Sequence, residues 1–207
     1  MRYGAPVTTR LQEAAATLVF LHGRGERADA PERFAARLGL PGLALVAPAA
    51  KDRSWYPQRY FDPRSVNEPE LGRAHDQVGS VLDDLAARGV PPERIIVGGF
   101  SQGACIALDL LATAPRPLGA VVSLCGCLIG ADDVRLPSGG SLAGVRALLT
   151  GAEADSWVDP EDVRVAAEAL RAAGAEVELL ITGPGEHRVR DEEVDAVRTL
   201  VESVMGG

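Results

Sequence analysis

The serine at the centre of Gly99-Phe100-Ser101-Gln102-Gly103 is the residue best placed for covalent chemistry. It fits the pattern G-x-S-x-G. The β-branched run Ile95-Ile96-Val97 precedes it and a helix-compatible run, Ala104 to Ala112, follows. A serine on so sharp a strand-to-helix turn is forced into strained backbone angles, and small residues two before and two after keep strand and helix from colliding. The hydroxyl then stands at a helix N-terminus, where the dipole favours developing negative charge. That arrangement suits nucleophilic attack on an acyl carbon.

A serine hydroxyl needs a base. The chain has three histidines, His22, His75 and His187. On this kind of turn the chain order is serine, acid, histidine, and only His187 follows Ser101. It lies in Gly183-Pro184-Gly185-Glu186-His187, read as a flexible loop from which a base could swing over the sheet edge. His75 is expected to have a solvated or interhelical role, and His22 to organise its loop. The acid should follow the strand Val145 to Leu149. Asp155 is the expected residue and Glu153 the second candidate, since Asp159 and Asp162 suit the start of the next helix. Asp155 would hold the imidazole in one tautomer. The oxyanion needs two converging N–H groups. Gln102 is expected to supply one, and the loop His22-Gly23-Arg24-Gly25 the other, through Arg24 or, failing that, Gly23.

Positioning these groups requires an alternation of strands and helices. Strands are expected at 17–21, 43–46, 95–97, 120–124, 145–149 and 177–181. Helices are expected at 31–38, 69–88, 104–112, 160–173 and 189–205. In the clearest helix Leu71, Ala74, Val78, Val81, Leu82 and Leu85 recur at helical spacing, and Gly89 stops it. Asp159 reads as an N-cap with Pro160 at the first position. Residues 48–67 look like a long loop, a feature often functional in a compact domain. The order implies an α/β fold with a mostly parallel, doubly wound sheet, helices on both faces and no large lid domain, in a single domain over residues 1–207.

Composition narrows the possibilities. The 207 residues carry 21 Lys+Arg against 29 Asp+Glu, a formal charge of -8, with no basic stripe to displace counterions, which argues against a nucleic-acid partner. The longest apolar runs are about eight residues, where roughly 20 are needed to span a bilayer. Three cysteines make a disulfide framework unlikely to be the design, and Cys125-Gly126-Cys127 without a second pair is a poor zinc signal. No metal or other cofactor is expected, and the N-terminus lacks a signal-peptide core, so a cytoplasmic protein is expected. Monomer and homodimer both stay open.

Five segments in order, Leu21-His22-Gly23-Arg24-Gly25, Ser54-Trp55-Tyr56, Gly99 to Ala104, Gly151 to Val158 and Gly185-Glu186-His187, resemble the phospholipase/carboxylesterase family of small α/β-hydrolases, which includes acyl-protein thioesterases and bacterial carboxylesterases. The resemblance implies Ser101 as nucleophile, Asp155 as acid, His187 as base and the Arg24 and Gln102 amides as oxyanion hole. It also points to Trp55, Tyr56 and Trp157 as residues that line the substrate site. The loop aromatics Trp55, Tyr56, Tyr60 and Phe61 read equally as core, and Trp157, where the family often has Val-Pro after the acid, could narrow the acyl pocket or cap the core. No extended apolar groove is evident. The expectation is a serine esterase acting on short to medium acyl or aryl esters. The rivals are an acyl-protein thioesterase or lysophospholipase for long chains, and a non-catalytic small-molecule binder. A cysteine-nucleophile lactone hydrolase fits less well, because position 101 is serine and Cys105, a turn later, suits packing.

Overall fold

In the computed structural model, residue 11, residues 13–130 and residues 142–206 are described. Among these residues six strands form one all-parallel sheet: β1 (Ala16–Leu21), β2 (Leu43–Val46), β3 (Ile95–Phe100), β4 (Ala120–Leu124), β5 (Arg146–Ala152) and β6 (Glu176–Thr182), in the order β2-β1-β3-β4-β5-β6. Among the described residues five α-helices connect them: α1 (Ala30–Leu38), α2 (Glu70–Ala87), α3 (Gln102–Thr113), α4 (Pro160–Ala172) and α5 (Asp191–Met205). One apolar layer packs α2, α3 and α4 against one face, and a second packs α1 and α5 against the other. This is the layered arrangement that near-continuous apolar strands demand, because both faces of a parallel sheet must be covered. Among the described residues no separate lid domain stands over the sheet, and no helix is long and apolar enough to cross a membrane.

The α2 stripe forms as its spacing predicts: Leu71, Ala74, Val78, Val81, Leu82 and Leu85 are all buried, and the helix gives way to Gly89 at φ 78°. The Asp159 side chain accepts from the Glu161 N–H at 2.8 Å and caps α4. Several elements run longer than local propensity indicates. β3 continues through Gly98-Gly99-Phe100 because both neighbours pair with it, Phe20 and Leu21 of β1 on one side and Val122, Ser123 and Leu124 of β4 on the other. Such pairing overrides the weak strand preference of glycine. α3 begins at Gln102, two residues earlier than expected, since a single residue makes the turn.

Register decides what the loops can do. Leu21 pairs with Gly99, Phe100 with Leu124, and Leu124 with Thr150. The segments after β1, β3, β4 and β5 therefore leave the sheet at one edge. The chain reverses direction across the sheet between β1 and β3, so the loops after these two strands diverge and leave a crevice, the place where open α/β sheets take ligands.

Candidate active site

The β3–α3 turn consists of Ser101 alone, at φ 52° and ψ -119°. Left-handed φ is costly for a residue with a side chain and persists only where the surroundings enforce it. Here the flanking glycines do so by letting backbones touch. A Cβ on Gly103 would lie 2.2 Å from the Leu21 carbonyl oxygen, and one on Gly99 2.5 Å from the Gly103 carbonyl carbon. The Ser101 N–H donates to Leu124 O at 2.8 Å, pinning the turn to β4.

Ser101 Oγ lies 2.8 Å from His187 Nε2, and His187 Nδ1 lies 2.6 Å from Asp155 Oδ2. With its proton on Nδ1 the imidazole donates to Asp155 and accepts from Ser101. The carboxylate is itself oriented by local backbone: Asp155 Oδ1 accepts from the N–H groups of Trp157 at 2.8 Å and Val158 at 3.1 Å. Burial alone would push the Asp155 carboxyl up, but the hydrogen bonds from His187, Trp157 and Val158 and the proximity of the imidazole outweigh it and hold the carboxyl below its usual range. Because backbone amides supply two of these bonds, the unusual side chains at 157 and 158 leave the orientation of Asp155 intact. Glu153, the second candidate, instead pairs with Arg164 on the surface.

The loop carrying His187 is strapped down, contrary to the flexible loop its glycines suggest. The Arg190 guanidinium donates to Thr182 Oγ1 and to Glu186 O, and Arg37 donates to Val189 O at 3.2 Å. Glu193, fully buried in the first turn of α5, accepts from the Arg190 N–H at 2.7 Å and from Thr150 Oγ1. Nothing in the local sequence distinguishes Glu193 from the exposed acids beside it. Its environment pushes the neighbouring Cys125 thiol up, through burial first and then the charges of Glu193 and Asp155. Cys125 contributes a donor atom near those of Asp155 and His187, but a thiol so disfavoured as thiolate is a poor metal ligand.

Two residues that line the cavity, Gln102 and Arg24, have backbone N–H groups without a described acceptor. That of Gln102, as first residue of α3, has no helical partner, and that of Arg24 takes part in no hydrogen bond among the described residues. Gly23 is excluded as the alternative donor, because its N–H is taken by Glu26 Oε2 at 2.6 Å. His22 is buried and organises the loop, as expected: its Nδ1 donates to Gly23 O at 2.7 Å and its Nε2 accepts from the Ala50 N–H at 3.1 Å.

A cavity of about 330 Å³ opens in front of Ser101, lined among others by Arg24, Tyr56, Arg59, Tyr60, Phe100 and Trp157. Tyr56 and Trp157 thus lie where the sequence reading puts them. Trp157 is 60% exposed, so it flanks the cavity and does not cap the core. Trp55 is a correction. It is buried away from this cavity, with its Nε1 donating to His22 O at 2.8 Å and its backbone N–H to Gln102 Oε1 at 2.8 Å. Its indole needs a buried acceptor and finds one in the β1 loop, so it braces the site without lining it. Cys105, expected to be packing, is buried beneath the cavity. The Gln102 side chain makes a bond that the motif does not reveal: its Nε2 donates to Tyr56 O at 2.7 Å and joins the 48–67 loop to the serine turn.

The whole of this arrangement can be set beside known proteins. Residues 4–205 match the family described as Phospholipase/Carboxylesterase. The chain belongs to the phospholipase/carboxylesterase family. That family consists of serine hydrolases. It is similar to acyl-protein thioesterase 1 of Saccharomyces cerevisiae, 28% identical over 59% of this chain and 63% of the yeast protein. It is also similar to acyl-protein thioesterase 1 of Mycosarcoma maydis, 31% identical over 53% of this chain and 56% of that protein. The chain thus spans less than two thirds of the length of these curated relatives. A crystal structure of a phospholipase/carboxylesterase from Dyadobacter fermentans superposes with a TM-score of 0.85 at 29% identity, covering 94% of this chain and 93% of that one.

Proposed function

We propose that the protein hydrolyses carboxylic esters by two-step acyl transfer. The observation that carries this reading is the unbroken hydrogen-bonded line from Ser101 through His187 to Asp155 at the mouth of a cavity. His187 Nε2 takes the Ser101 proton as Oγ bonds to the ester carbonyl carbon, and the carbonyl oxygen becomes an oxyanion between the Arg24 and Gln102 N–H groups. One such donor is worth about 3–4 kcal/mol of barrier in comparable sites. Collapse breaks the bond to the leaving alcohol, which receives the proton from His187 and leaves an acyl-serine. Water then attacks that acyl carbon, giving its proton to His187, and Ser101 leaves with the proton returned to Oγ. Asp155 remains ionised throughout and stabilises the imidazolium. The chemistry uses no cofactor.

A cavity of about 330 Å³ with aromatic walls lies at the small end of ligand sites and suits short to medium acyl or aryl esters. The curated relatives named above favour a thioesterase acting on acylated proteins, and the second reading is therefore an acyl-protein thioesterase or lysophospholipase for long acyl chains. All three cysteines are free thiols, which fits a reducing, cytoplasmic setting. The test is a panel of p-nitrophenyl esters from C2 to C16. The expected result is a maximum at C2 to C6 and a loss of kcat on the order of 10⁴-fold or more in Ser101→Ala. A maximum near C16 favours the second reading. Undiminished turnover by Ser101→Ala overturns both, and a native chain that turns over no ester leaves the fold as a binder.

A further inference from the structure

Among the described residues, the cavity in front of Ser101 is lined by two arginines and a histidine, Arg24, Arg59 and His187, and by no carboxylate. This is a local exception in a chain of net charge -8. The Arg24 guanidinium donates to the carbonyl oxygens of Tyr56, Pro57 and Gln58, neutral acceptors that fix the group and leave its charge uncancelled. Arg59 is less encumbered. Among the described residues its guanidinium forms no ion pair and no hydrogen bond. It stands 5.7 Å from the centre of the Trp157 ring and 5.9 Å from that of Phe61. Both rings are well exposed, at 60% and 58%, and together they hold the cation at the mouth of the cavity.

The acids nearest in the adjoining groove are already committed. Glu153 pairs with Arg164, Asp155 with His187, Asp159 caps α4 and Asp162 accepts from the Tyr60 hydroxyl at 2.7 Å; outside that groove, Asp62 accepts from the Arg59 backbone N–H. A pre-positioned guanidinium with free donors beside a partly dehydrated cavity is the chemistry that recognises an oxyanion group. Arg24 adds positive potential from the same side.

We propose that the preferred substrate is an ester bearing a second, anionic group, a carboxylate or a phosphate, which Arg59 engages while Ser101 attacks the ester carbonyl. This inference rests on the hydrolase reading and names its substrate class. The reaction at Ser101 is unchanged, and the anionic group is not itself transformed.

The test compares esters of matched length on the purified full chain: p-nitrophenyl butyrate, mono-p-nitrophenyl succinate and the p-nitrophenyl ester of 3-phosphonopropionic acid, with rates in Ser101→Ala subtracted. The expected kcat/KM is about tenfold or more higher for one or both anionic esters than for the butyrate, consistent with a charge-assisted contact. Whichever anion gains more identifies the source. In Arg59→Gln the anionic-to-neutral ratio falls to near one, and in Arg59→Glu it inverts in favour of an ester of the same length ending in trimethylammonium. A ratio near one in the native chain, or a ratio that Arg59→Gln leaves untouched, overturns the proposal. Ser101-dependent butyrate turnover in that case keeps the hydrolase reading standing, whereas undiminished turnover of every ester by Ser101→Ala removes the Ser101 mechanism on which both readings rest.

Discussion

The two walls of the cavity are built by different physics. One wall, the Ser101 turn, is set by backbone sterics: the end of β1, the end of β3 and the start of α3 approach so closely that Gly99 and Gly103 admit no Cβ. The other wall, residues 51–67, has only short helical turns at Lys51–Arg53 and Arg64–Asn67. It is held by side chains reaching from elsewhere. Arg24 and Gln102 clasp its carbonyls, and the buried Asn67 brackets it by accepting from the Gln58 N–H at 2.8 Å and donating to Arg59 O at 3.2 Å. Tyr60 ties it to α4 through Asp162. At its far end Arg64 grips the fully buried Asp109 of α3 with both nitrogens, and His75 Nε2 stands 2.7 Å from the same carboxylate, in ion-pair range without hydrogen-bond alignment. A sterically determined wall suits the reacting groups, where small displacements are costly in rate. A side-chain-clasped wall suits selectivity, because it can be altered without disturbing the reacting groups.

Mutations can break that contrast. The largest effect is expected for Gly103→Ala, which drives a methyl group into the Leu21 carbonyl. Loss of about 3 kcal/mol or more of stability should appear as a lower urea midpoint, with all ester activity falling together. Unchanged stability would show that the turn has slack. Asp109→Ala comes next. It leaves Arg64 without its buried partner and should cost about 3 kcal/mol, but its functional signature differs: faster limited proteolysis within 51–67 and a raised KM, with kcat less affected. An equal loss in kcat would mean that both walls move as one unit.

The smallest effect is a pH dependence at Asp155, the acid held by local backbone amides. Its folded-state carboxyl lies below the usual value, so its contribution to folding is complete above the unfolded-state value near 3.9 and is lost as pH falls through the lower folded value. The urea midpoint of the native chain minus that of Asp155→Asn should be constant above about pH 5 and shrink below about pH 4. A difference that grows on acidification would reverse the sign and place a protonated carboxyl at the site.

The same contrast explains what the sequence reveals. The serine turn, the α2 stripe and the Asp159 cap are local: spacing of a few residues carries the physics, and each forms where its pattern indicates. The sheet follows from strand and helix alternation. What local reading misses is long-range. β3 extends because β1 and β4 pair with it, and β5 because β6 pairs with it as far as Ala152. Trp55 turns inward because an acceptor 33 residues away satisfies its indole. Gln102, Glu193 and Asp109 bond to Tyr56, Thr150 and Arg64, which lie 46, 43 and 45 positions away, and no spacing rule signals such bonds.

The central claim is that Ser101 is activated through His187. A fluorophosphonate probe tests it most directly, since attack by the serine oxygen forms a P–O bond with loss of fluoride. Mass spectrometry of the treated native chain should show a single adduct on the peptide containing Ser101, formed far more slowly in His187→Ala. An unlabelled Ser101 in the folded native protein, or labelling that proceeds at the same rate without the imidazole, would contradict the account.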